Sequence, residues 1–200
     1  MEPFTNCSAL ILAGGKSSRM GRPKAWLEFG GVPLLTRIVG CLRESFDDIV
    51  VVHASGQEVP DVPVRLVEDE QPGLGPVAGL SVGLKAVRHE LAFVCSCDVP
   101  FLNIELVRHL VTLAVNFDIV VPSWDGRLHP IHTVYRAEVA HLYERNLADG
   151  KRRPIAIYDE VRVRTVTDEE LRGFDPEGRS FLNLNTPEDY KMALRMFNAI

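Results

Sequence analysis

Apolar positions along the chain fall first into short continuous runs. Ser8-Ala-Leu-Ile-Leu12 ends at Ala13-Gly-Gly-Lys16 and reads as a buried strand entering a loop. Ile49 to Val52 and Val64 to Val67 predict a second and third strand, Leu91 to Cys97 a fourth, and Ile119 to Val121 a fifth. Between these runs the period changes to 3.6. Leu34, Leu35, Ile38, Val39 and Leu42 share one face of a helix over 33–45, with Pro33 in its first turn. The turn Gly73-Leu-Gly-Pro76 leads into a helix from Val77 to about Arg88. Ile104, Val107, Leu110, Val111 and Ala114 form the inner stripe of another, with Asn103 as its N-cap.

After Val121 the pattern becomes less regular. Thr133 to Tyr135 reads as extended, Ala137 to Leu147 as helical, and Val161 to Val166 alternates like a strand at an edge or on a separate face. Phe181 to Leu184 predicts a short strand that returns to the sheet. Thr186-Pro-Glu-Asp189 then opens the last helix, with Thr186 as N-cap, Pro187 at the first position and Asp189 closing a capping box. Strands alternating with helices over the first ~120 residues predict right-handed βαβ units. The fold class is therefore α/β: three layers, with helices on both faces of a mostly parallel, mixed sheet, in a single domain over 1–200.

Composition narrows the function classes. Apolar residues make up 46% and charged residues 24%, which excludes a disordered chain. With 22 Lys and Arg against 27 Asp and Glu the net charge is −5, so neutralising a nucleic-acid backbone is not its main work and no nucleic-acid partner is expected. Apolar runs fall short of the ~20 residues of a membrane span, and Met1 to Ser8 carries Glu2 and no basic leader, so no membrane partner and no secretory signal are expected. Cys95 and Cys97, a C-x-C pair in an apolar run, read as buried thiols of a reducing cytoplasm rather than a redox or zinc site.

In open α/β sheets, ligands bind beyond the carboxyl ends of the strands. After the first strand, Gly14 to Lys24 combines three glycines with four cations, Lys16, Arg19, Arg22 and Lys24, within nine positions. That is a polyphosphate cradle on an otherwise acidic chain. A Walker A loop would need glycine at position 10, which is Leu10, and adjacent Gly14 and Gly15 do not make G-x-G-x-x-G. After the fourth strand, Asp98 is either a hard carboxylate for Mg²⁺ or a turn aspartate before Pro100, and Asp69 after the third has the same two readings. Asn185 beyond the last strand is either a turn residue or a carbonyl ligand of the same metal. His129, in Gly126-Arg127-Leu128-His129-Pro130, stands out among six scattered histidines.

The string Leu12-Ala-Gly-Gly-Lys-Ser-Ser-Arg-Met-Gly-Arg-Pro-Lys24 resembles the opening signature of nucleotidyltransferases with a Rossmann-like fold. Together with Gly75-Pro-Val-Ala-Gly79, Cys97-Asp-Val-Pro-Phe-Leu102, His129-Pro130 and Asn183-Leu-Asn-Thr-Pro-Glu-Asp189, it resembles the molybdenum cofactor guanylyltransferase family over nearly the whole chain. The resemblance implies a nucleotide half over about 8–122, an acceptor-side excursion over about 123–180, and a closing strand and helix over 181–200. The implied reaction joins GTP and Mo-molybdopterin to give the guanine dinucleotide cofactor and pyrophosphate, with Mg²⁺ as cofactor. Leu12, Ala13, Gly14, Gly15, Lys24, Asp69 and Asp98 then bind the nucleotide. Arg19, Lys24 and Asp98 carry the reaction, and Asp98 and Asn185 hold the metal; by its placement after the early strands, the loop with Arg127 and His129 either faces the acceptor or holds His129 as a turn residue against Pro130. Implied partners include a protein that delivers molybdopterin and molybdoenzyme chaperones. The competing readings are a molybdopterin cytidylyltransferase, a sugar- or polyol-phosphate nucleotidyltransferase, and a non-catalytic nucleotide-binding module.

Overall fold

The computed structural model describes residues 3–14, 23–71 and 73–199. Its strands are β1 (Cys7–Leu12), β2 (Glu28–Phe29), β3 (Val32–Pro33), β4 (Ile49–Ala54), β5 (Arg65–Asp69), β6 (Leu91–Ser96), β7 (Ile119–Trp124), β8 (Arg127–Leu128), β9 (His132–Arg136) and β10 (Val163–Val166). The α-helices are α1 (Leu34–Arg43), α2 (Pro76–Ala86), α3 (Ile104–Thr112), α4 (Ala140–Ala148), α5 (Asp168–Leu171) and α6 (Pro187–Asn198). One sheet runs in the order β10-β7-β9-β6-β1-β4-β5, with β8 hung on β7, and β2 and β3 form a separate small hairpin. Pairs β6–β1, β1–β4, β4–β5 and β10–β7 are parallel, whereas β9 lies antiparallel to both β6 and β7.

Two cores flank the sheet, as expected for three layers. Strand side chains alternate between them: Phe93 and Cys95 face α1, α3 and α6, while Ala92 and Val94 face α2 and α4. Helix α2 comes unusually close. A Cβ on Gly83 would lie 2.5 Å from a Leu10 methyl, and one on Gly79 would lie 3.1 Å from Leu12, so glycine at both positions lets the helix backbone settle onto β1. Capping is as the sequence implies. Asn103 Oδ1 accepts from Glu105 and Leu106 N–H at 2.9 and 3.1 Å, and Thr186 and Asp189 form a complete capping box.

After Val121 the chain stays within the main sheet: β9 lies inside it and β10 is its edge strand, the first of the two places that the alternation over Val161 to Val166 allowed. The expected strand over Phe181 to Leu184 is absent. Arg179–Phe181 is a short 3-10 turn, and the chain beyond it crosses the carboxyl edge of the sheet, where Leu184 N–H donates to the Asp98 carbonyl at 3.0 Å. Phe181 and Leu184 are buried and mimic strand alternation, but they bury across strand ends, and β9 takes the place beside β6.

Candidate functional site

Strands β1, β4, β5 and β6 all end on one edge, and β9, running the other way, begins there. The strand order reverses about β1, whose successors lie first on its β4 side and then on its β6 side, and this is where α/β sheets open a crevice. A cleft of about 990 Å³ lies along this edge.

Its centre is a cluster of three side chains far apart in sequence. Lys24, on a 3-10 turn after the extended Pro23, donates from Nζ to Asp98 Oδ2 at 2.5 Å and to Asn185 Oδ1 at 2.9 Å. Asp98 is only 8% exposed, and Ser96 Oγ donates to its other oxygen. Asn185 is held in turn by α6: Asp189 Oδ2 accepts its backbone N–H at 3.0 Å as well as that of Thr186. The helix cap thus serves as a clamp for the site.

On the β4–β5 side, Leu12, Gly14 and Asp69 line the cleft. Ala13 does not line it; its N–H donates to the Val52 carbonyl at 2.7 Å and its carbonyl accepts from Gln57 Nε2 at 2.9 Å, which fixes the chain leaving β1. Asp69 ends β5, and its Oδ1 also accepts from Gln71 N–H at 2.9 Å, so it serves as a turn residue while facing the cleft. Gly73 and Gly75, both with φ near +80 to +90°, shape the rim before α2. His53 lines the same side, with Nδ1 3.2 Å from the Ala54 carbonyl.

The opposite end is aromatic. His129, His132 and Phe181 line it, with the His129 and Phe181 rings 4.5 Å apart. Burial, helped by nearby Arg127, holds the His129 imidazole below its ordinary pKa. Arg127 itself is exposed on β8 and does not line the cleft. Gly15 and Arg19, with Lys16 and Arg22, lie outside the described residues.

The structure therefore brings together Leu12, Gly14, Lys24, Asp69, Asp98, Asn185 and His129. Sequence reasoning missed Ser96, Gln57, His132 and Phe181. Ser96 shares a strand face with Asp98 and could have been found from that spacing; Gln57 carries no local signal.

The donor set suits a hard cation: one carboxylate and one amide oxygen already hold the Lys24 ammonium between them. No group of three His, Cys, Asp or Glu that could hold a metal occurs among the described residues, so a divalent ion here would draw its other ligands from phosphates and water. The three buried cysteines are plain core thiols: burial pushes Cys7 and Cys97 up to about 12 and Cys95 higher still.

The chain is similar to proteins named probable molybdenum cofactor guanylyltransferase. One from Carboxydothermus hydrogenoformans is 32% identical over 96% of this chain and 98% of that protein. One from Mycobacterium avium is 38% identical over 96% of each. Among solved structures, molybdopterin-guanine dinucleotide biosynthesis protein A from Archaeoglobus fulgidus superposes with a TM-score of 0.82 at 24% identity, covering 96% of this chain and all of that one, and so shares the fold. Residues 9–164 match the family model described as the MobA-like NTP transferase domain, a span that contains Lys24, Asp69, Asp98 and His129. With that match covering more than half of the chain and relatives up to 38% identical over nearly all of it, the chain belongs to the MobA-like NTP transferases.

Proposed function

We propose that the protein transfers guanylyl from GTP to Mo-molybdopterin, forming the guanine dinucleotide cofactor and releasing pyrophosphate. The observation that carries this reading is the Lys24–Asp98–Asn185 cluster, set between Gly14 and Asp69 on one side and the aromatic His129–Phe181 end on the other. Relatives of the same length named guanylyltransferase support it.

The terminal phosphate of the acceptor attacks the α-phosphorus of GTP. A new P–O–P bridge forms there as the bond to the β-phosphate oxygen breaks. The nucleophile is already ionised at neutral pH, so no general base is needed. The protein supplies alignment and charge neutralisation. Lys24 serves the phosphates, Leu12, Gly14 and Asp69 hold the nucleoside while Ala13 anchors the chain behind them, and His129 faces the acceptor. Arg19 and Gly15 complete the phosphate loop in this reading, and Arg127 assists from outside the cleft. Asp98 and Asn185 would hold Mg²⁺, which when bound supplies electrostatic stabilisation of the triphosphate. The reading assigns the protein to the cytoplasm, where its unpaired cysteines persist as thiols.

Pyrophosphate release from GTP, CTP and ATP, each with Mg²⁺ and molybdopterin, tests the reading. GTP is expected to lead by at least about tenfold, since each unpaired buried hydrogen-bonding group costs ~1–3 kcal/mol. CTP equal to GTP refutes the guanylyl assignment but leaves nucleotidyl transfer standing. No release with any of them makes the protein a binding module.

A further inference from the structure

Two polar side chains at the aromatic end of the cleft are buried and unpartnered. His132 is 2% exposed, and neither ring nitrogen has a hydrogen-bond partner; Ser180 is 1% exposed, and its Oγ has none either. Both residues line the cleft. An apolar side chain would avoid the cost of burying unpaired polar atoms, so these groups weaken the free protein.

The backbone explains how they arrive there. β9 runs antiparallel to β6 and sets His132 opposite Cys95, at the carboxyl edge rather than in the far end of the core. Its imidazole stands edge-on between Phe93 at 5.1 Å and Phe181 at 5.2 Å. Ser180 is the neighbour of Phe181 on the 3-10 turn, where Asp175 Oδ2 accepts its backbone N–H at 2.7 Å and leaves the hydroxyl unused. The Phe181 ring meets Trp124 at 5.7 Å and His129 at 4.5 Å. Packing alone holds that ring over the imidazole, and packing is what an entering flat ring can replace.

We propose that His132 and Ser180 form an uncharged hydrogen-bonding subsite for the edge of the acceptor's fused heteroaromatic ring, uncovered when that ring displaces Phe181 from the imidazole. This rests on the reading above, in which the acceptor is a pterin. A neutral imidazole offers one donor and one acceptor, and a hydroxyl offers both. Together they match a ring edge on which ring nitrogens, carbonyl and amino groups alternate. Burial drives the His132 pKa down to about 3, so the imidazole is neutral at physiological pH and suits an uncharged ring better than a phosphate. The acceptor's phosphate then points back toward Lys24.

The test uses His132→Phe, His132→Gln and Ser180→Ala in the full chain. Readouts are the thermal midpoint, KM for molybdopterin and for GTP, and binding of 6-hydroxymethylpterin followed by its own fluorescence. The subsite predicts that His132→Phe keeps or raises the midpoint while KM for molybdopterin rises about tenfold and KM for GTP holds. His132→Gln, which restores a donor and an acceptor, recovers part of the loss. Wild-type protein binds 6-hydroxymethylpterin, and His132→Phe and Ser180→Ala bind it more weakly. A lower midpoint with both KM values unchanged overturns the proposal and leaves the pair as an internal water site only. Should His132→Phe fail to fold, Ser180→Ala and the pterin titration decide alone. The titration needs no turnover, so its failure is separable from a failure of guanylyl transfer.

Discussion

Replacing Lys24 by alanine tests the centre of the site, because it leaves the Asp98 carboxylate facing Asn185 with its ammonium gone. The two side chains of the pair are 20% and 12% exposed, between a surface ion pair and a buried one. Exposed pairs contribute ~0–1 kcal/mol, and removing one partner of a buried pair costs about 3–5, so a loss of about 2 kcal/mol is expected. With an unfolding entropy of roughly 2.1 cal/mol/K per residue, the midpoint should drop about 5 °C. Asp98→Asn in the same chain removes the stranded charge, so the double variant should be less destabilised than the two single changes added together. Mg²⁺ should raise the midpoint more in Lys24→Ala than in wild type, because the cation no longer competes with the ammonium for Asp98 and Asn185. Differential scanning fluorimetry with and without Mg²⁺ reads all of this, and steady-state kinetics adds the catalytic side. Lys24→Ala should lower kcat as well as nucleotide affinity, since charge on the leaving phosphates develops during transfer. Strict additivity of the two variants, or a rise in KM with kcat intact, would refute the reasoning.

Asp98→Asn keeps the shape but not the charge a hard cation needs, so Mg²⁺-dependent turnover should fall more than about tenfold with an unchanged circular dichroism spectrum; near-normal turnover removes the assignment. Gly14→Ala should fold normally, because the new Cβ would meet only Ala54 N at 3.5 Å and His53 C at 4.0 Å, both ordinary contacts. The ratio of kcat/KM for GTP over CTP should nevertheless fall about tenfold as the methyl crowds a purine, and an unchanged ratio shows that position 14 does not face the base. Asp48, at the opposite end of the sheet, accepts from Ser8 Oγ at 2.6 Å, Arg65 at 2.6 Å and Arg88 N–H at 2.9 Å. Burial raises its pKa and is the largest single influence, but these bonds together outweigh it and hold the carboxyl below its usual range. Its stabilisation is therefore present above the unfolded pKa near ~4 and lost as pH falls through the folded value. Asp48→Asn should cost about 2–4 kcal/mol in urea titrations at pH 7, with the gap to wild type narrowing as pH falls through the depressed folded value; a gap independent of pH contradicts this.

Local signals made much of this legible beforehand. The run Ser8 to Leu12, the stripe of α3 under its Asn103 cap and the Thr186–Asp189 box each depend on a few neighbouring residues, and each forms as expected. Lys24, Asp98 and Asn185 stand 74 and 161 residues apart in their pairings, yet the general placement of ligands at strand ends was enough to bring them under one heading. What escaped depends on tertiary choice. Alternation over Phe181 to Leu184 reports burial, not partnership, and does not say whether a sheet edge or a row of strand ends does the burying. The reversal of β9 has no sequence mark either, and without it His132 would sit at the far end of the core. Gln57 acts through two bonds to backbone, Nε2 donating to the Ala13 carbonyl and Oε1 accepting from Ala54 N–H at 3.4 Å, and neither leaves a mark in the local sequence.

Strand β6 has β1 on one side and β9 on the other, so the Gly14–Asp69 end and the His129–Phe181 end of the cleft share a single central strand. Many two-substrate enzymes divide their ligands between lobes joined by a hinge and meter the reaction by closing it. Here, among the described residues, both ends of the cleft rest on one continuous sheet, so the platform is expected to open and melt as one cooperative unit. Amides of β1, β6 and β9 should exchange with deuterium at a common slow rate, whether or not nucleotide is present. Timing of substrate entry and product exit then falls to side chains at the rim, so turnover should respond to solvent viscosity far less than in a hinge-closing enzyme.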